Sequence, residues 1–211
     1  MSERLAQFII FFPVFLFSLS FHEAAHAWTA NRLGDPTARL LGRMTLNPLA
    51  HIDWIGTVLF PLMMFLMPGL LLFGWAKPVP VNPMNLRGGR QGNLKVALAG
   101  PISNMFLAIG FAGVMHLVIT LIKPFPMEDI LLQILETGVI LNLMLAFFNL
   151  VPIPPLDGSQ VLEGILPVRH LAAFHNFSRY GFLILIAALY LGAFRLLTIP
   201  VFMVARLILP S

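Results

Sequence analysis

The densest group of side chains able to do chemistry is His22-Glu23-Ala24-Ala25-His26. Residues four apart on a helix lie nearly above one another, so both imidazoles can reach one metal ion while Glu23 stays off it. Imidazole suits Zn2+, and a carboxylate beside the ion can take a proton from water. A hydrolytic zinc needs three protein ligands and an open position. The chain contains no cysteine, so the third ligand must be His or a carboxylate. Glu3, Glu128 and Asp129 sit near the wrong ends of their segments, Asp35 follows Gly34 in a turn, and Glu136 lies well inside an apolar run. Asp157 is the strongest candidate. It closes the stretch that begins at Asn149, in which Pro152, Pro154 and Pro155 interrupt any helix and let a carboxylate turn inward. Pro-Leu-Asp-Gly is also an ordinary turn sequence.

These residues must be positioned by apolar elements. Of 211 residues, 58% are hydrophobic and 10% charged, whereas soluble domains run to roughly 45–50% and 25%. An integral membrane protein follows. The net charge of +4 comes from scattered basic residues, which anchor loops rather than build a nucleic-acid face. Runs near the roughly 20 residues that cross a bilayer fall at 5–28, 96–122, 130–151 and 180–197. A shorter run covers 199–209, and 55–73 is broken by Pro61 and Pro68-Gly69. The expected fold is all-α: a polytopic bundle of about five to six spans with a small β or re-entrant element near the cytoplasmic face. It reads as one membrane domain, 1–211, with a catalytic core at 5–164 and C-terminal helices at 178–211.

Residues 5–19 could also be the core of a signal peptide cleaved near Ala25-His26-Ala27. The balanced charges Glu3 and Arg4, and the loss of the metal-ligand pair on cleavage, favour an uncleaved first span. Arg32, Arg39 and Arg43 precede the broken run, and Lys77, Arg87, Arg90 and Lys95 follow it. Both groups favour the cytoplasm, which predicts a re-entrant hairpin turning at Pro68-Gly69. His26 and the turn at 152–158 then lie at one depth, near the cytoplasmic side.

Three further features remain. Asn104 lies among Ala97, Ala99, Gly100 and Ser103, where it could contact substrate or an oxyanion, or only pack helices closely. His51 and Asp53 are candidates for regulating zinc or for ordinary loop polarity. In Lys77-Pro-Val-Pro-Val81, prolines strip the donors from one strand edge and leave Val79 on the other. A substrate could add there as a strand, with Asn149 opposite; a plain proline-rich loop is the alternative.

The order and spacing of His22-Glu-Ala-Ala-His26, Gly100-Pro-Ile-Ser-Asn104 and Asn149…Pro152…Pro155-Leu-Asp157-Gly158 resemble the site-2 protease family of intramembrane zinc metalloproteases. Asn47-Pro48, His51-Ile-Asp53 and the run from Phe73 to Pro83 resemble its compact prokaryotic branch, which lacks PDZ and CBS modules. Trp54 stands where that branch has Pro. The resemblance implies one Zn2+ per chain on His22, His26 and Asp157, with Glu23 as base and proton shuttle and Asn149 holding the substrate backbone. It also implies a membrane-embedded protein or peptide substrate, cut in a signalling cascade or in clearing signal-peptide remnants of a prokaryotic cell membrane. The competing reading is a noncatalytic membrane metal-binding protein or transporter using the same His and Asp cluster. Glu23 separates the two, because transport needs ligands but no general base. No nucleic-acid partner is expected, and the oligomeric state is left open.

Overall fold

The computed structural model describes residues 3–67, 74–122 and 124–210, and every regular element among them is helical. Helix α1 (Glu3–Arg32) carries the His pair in its C-terminal third. It ends in a Schellman turn: the Gly34 and Asp35 amides donate back to the Asn31 and Ala30 carbonyls, with Gly34 at φ +107°. That turn sets Asp35 directly beneath the helix end. A four-residue helix α2 (Thr37–Leu40), a wide π turn at Trp54–Leu59 and helix α3 (Phe60–Leu66) follow. The anticipated hairpin tip at Pro68-Gly69 lies outside the described residues.

Helices α4 (Arg90–Leu121) and α5 (Glu128–Asn149) come next. With α1 they are the three described helices long and apolar enough to cross a membrane. The shortest has 22 residues, about 33 Å at the α-helical rise, against a hydrocarbon core of about 30 Å. Helix α4 is central, packing against α1, α5 and α6 (Asp157–Ile165). Small residues make this possible: Ala108 and Ala112 of α4 meet Val139 and Leu143 of α5, and Val201 and Ala205 of the last helix complete the cluster.

The C-terminal third differs from expectation. The apolar run at 180–197 is divided into α8 (Gly181–Tyr190) and α9 (Arg195–Ile208). The cause is a second Schellman turn: the Gly192 and Ala193 amides cap the Leu189 and Ala188 carbonyls, with Gly192 at φ +73°. Helix α7 (Val168–Ser178) bends by 63° into α8. The described residues thus hold three helices of spanning length, or four if α7 and α8 make one bent span.

No strand is present among the described residues, and of the expected small β or re-entrant element the hairpin tip lies outside them. Residues 74–82 are extended, but four of their amides go to separate partners. Trp75 donates to the Gly56 carbonyl and Lys77 to that of His51; Val79 donates to Glu23 and Asn82 to Asp35. Pro78 and Pro80 have no amide hydrogen to give, so no ladder forms.

Candidate active site

Helix periodicity brings His22 and His26 to one face of α1, and the proline-rich turn after α5 returns the chain so that α6 begins at Asp157 beside them. Asp157 sits at the helix N-terminus, where the backbone dipole favours negative charge. His22 Nε2 lies 3.0 Å from His26 Nε2 and 3.0 Å from Asp157 Oδ2, and His26 Nε2 lies 3.3 Å from the same oxygen.

The far nitrogens of both rings are committed. His26 Nδ1 donates to the Val96 carbonyl at 2.7 Å and His22 Nδ1 to Asn104 Oδ1 at 2.6 Å. Asn104 can present only its oxygen there, because its Nδ2 donates to Asn142 Oδ1 and to the Ser18 carbonyl. Asn142 in turn donates to Ser18 Oγ and to the Gly138 carbonyl. The amide chain behind His22 and the Val96 carbonyl behind His26 assign both imidazoles protons on Nδ1 and lone pairs on Nε2. Two lone pairs and a carboxylate oxygen therefore converge at separations near the about 3.3 Å expected between ligand atoms of a tetrahedral zinc with bonds near 2.0–2.1 Å. Gly100 keeps the space open: a β-carbon there would stand 2.6 Å from His22 Nε2 and would also collide with His26 Nε2. The residues fit a zinc ion.

The cluster opens into a cavity of about 380 Å3, lined also by Glu23, Asn149, Val79 and Asn93. Asn149 faces this space while its Nδ2 returns to the Leu145 carbonyl at 2.9 Å. Glu23 is buried, and its Oε2 accepts the Val79 amide at 2.8 Å. Two expectations change here. Asn104 is fully buried behind His22 and does not line the cavity, so a substrate or oxyanion contact gives way to orientation of the ring. The Val79 amide is already taken by Glu23, so it is not a free strand edge for substrate. His51 and Asp53 stand apart from the three-ligand cluster. The His51 carbonyl holds Lys77, and Asp53 caps the turn that follows by accepting the Ile55 and Gly56 amides.

Ser18 and Asn142 escaped the sequence reading. Ser18, His22 and His26 recur every four residues on α1, and Asn142 precedes Asn149 by two helical turns. Those spacings were the available signal.

Apolar helices of membrane-crossing length around two imidazoles and a carboxylate define a class, that of helical membrane proteins built about a metal-type centre. Comparison with known proteins narrows the class. Residues 118–192 match the model of peptidase family M50. The chain is 39% identical over 174 residues to YwhC of Bacillus subtilis, covering 79% of this chain and 74% of that one. It is 31% identical over 184 residues to Rip2 of Mycolicibacterium smegmatis, covering 86% and 67%. Both names carry the designation zinc metalloprotease. This chain belongs to peptidase family M50, the site-2 proteases, and is a zinc metalloprotease, which sets aside the noncatalytic metal-binding or transport alternative. No solved structure matches it.

Proposed function

We propose that the chain is an intramembrane protease that hydrolyses peptide bonds in or near transmembrane segments of other membrane proteins, in regulated proteolysis or in clearing signal-peptide remnants. The observation that carries this reading is the junction of two spaces. The cavity beside His22, His26, Asp157 and Glu23 shares Gly74 and Leu145 with an apolar groove of about 680 Å3. Phe8, Phe11 and Phe15 of α1 face Met144 and Phe148 of α5 across that groove. An apolar segment lying in the groove would therefore reach the polar site without crossing water.

His22 Nε2, His26 Nε2 and Asp157 Oδ2 would hold one zinc per chain. When bound, zinc polarises the scissile carbonyl and makes water acidic enough to lose a proton near neutral pH. Glu23 takes that proton and passes it to the leaving amine. Asn149 holds the substrate backbone at the opposite wall, while Asn104, Asn142 and Ser18 keep His22 in its ligating tautomer. We place the chain as one domain in a prokaryotic cell membrane, with the site toward the cytoplasmic side, where Arg32 ends α1 and Arg39, Arg43, Lys77 and Arg87 follow it before α4.

Glu23→Gln tests the reading. It should retain zinc and lose cleavage by at least about a hundred- to ten-thousandfold, and single-span precursors should accumulate in cells carrying it relative to wild type. Cleavage by this variant at the normal rate would overturn the mechanism.

A further inference from the structure

The Glu23–Val79 hydrogen bond is used by nothing described so far, and its surroundings are built to hold it. Pro78 and Pro80 flank Val79, fix the backbone on both sides near φ −65° and carry no amide hydrogen. Val79 is therefore the lone donor in 78–80. The segment is fastened on either side of it. Arg43 Nη2 donates to the Lys77 carbonyl at 2.7 Å and the Lys77 amide donates to His51 at 2.9 Å. Beyond it, the Asn82 amide donates to Asp35 Oδ2 at 2.7 Å. The whole stretch lies over the catalytic cavity, to which Gly74, Trp75, Ala76, Pro78, Val79 and Val81 contribute.

Resting on the reading of Glu23 as general base, we propose that the Val79 backbone amide is a positioning group of the hydrolytic reaction. It holds Glu23 by Oε2 and leaves the other carboxylate oxygen to meet the attacking water. A glutamate has several freely rotating side-chain bonds and would otherwise sample orientations that point away from the water. A donor clamped between prolines selects one. Arg43 acts through this segment, and not on the substrate.

Two measurements test the proposal. The first needs no activity: in metal-free protein, a peptide covering 78–81 contains only the Val79 and Val81 amides, and one should exchange with deuterium faster in Glu23→Ala than in wild type. Unchanged exchange overturns the proposal. The second uses a dye-and-quencher-labelled single-span peptide in detergent micelles with the zinc-loaded enzyme. Val79→Pro should lower kcat about ten- to a hundredfold, the size of a hydrogen bond to a charged group, with KM and zinc content held. Val79→Ala, which returns the amide hydrogen, should recover what proline loses. A rise in activity would make the contact an inhibitory latch, and a rise in KM alone would make the amide a substrate contact; either overturns the proposal. Should Val79→Pro lose zinc, the exchange result decides. Full kcat in Val79→Pro beside an inactive Glu23→Gln defeats this inference alone, whereas an active Glu23→Gln defeats the general-base reading beneath it.

Discussion

A histidine offers a metal only one useful nitrogen, and what the other nitrogen does decides whether the offer is real. Here Val96 and Asn104 take the Nδ1 protons, so both Nε2 atoms face Asp157 with lone pairs. The candidate triad was legible in the chain: helix spacing pairs the histidines, and the proline-broken turn makes Asp157 the strongest candidate beside them. The support behind it was not. A lone amide in an apolar run reads equally as packing, and only the fold shows Asn142 fixing the amide of Asn104, which in turn orients His22. Gly100 belongs at this scale too. Gly100→Ala should fold and fail to load zinc, because its new methyl would occupy the space between the imidazoles. Metal content of the purified variant checks this, and normal zinc occupancy would show that α4 can move aside.

At the scale of elements, α1, α4 and α5 were readable because hydrophobic length alone specifies them. The division of α8 from α9 was not, since one glycine in an apolar stretch becomes a helix stop only when its turn bonds form. The extended 74–82 segment misled differently. Alternating prolines describe a strand edge, yet along the segment the Trp75 and Lys77 amides go to loop carbonyls and those of Val79 and Asn82 to two buried carboxylates. One of these, Asp35, has no exposed surface and accepts from the Thr37 hydroxyl, the Asn82 amide and Asn85 Nδ2. Burial tends to raise its pKa, but these donors outweigh it and leave the value below the ordinary 3.8. A carboxylate with a lowered folded pKa contributes stability that is complete above its unfolded value and fades as pH falls through the folded one. Protection of the Asn82 amide from exchange should therefore persist down to about pH 4 and fall below it. Asp35→Ala should lose that protection at neutral pH. Equal protection at both pH values would remove Asp35 from this role.

At the scale of the whole molecule, the His22 and Asp157 side chains, 135 positions apart, tie α1 to α6, with α4 packed against both. Zinc held by this set would bind the folded chain and not the unfolded one, so occupancy should raise the thermal midpoint. Stripping the metal with a chelator should lower that midpoint in wild type and leave Asp157→Ala where it already stands; equal responses would mean that the ion binds elsewhere. The segment covering the cavity is joined to α1 in a different currency, since its contact with Glu23 is made by main chain at Val79 and survives any exchange of that side chain except proline. A chain-wide scan that trims side chains one at a time would pass over it in silence. Only changes to the backbone itself, through proline or an ester linkage, can make position 79 speak.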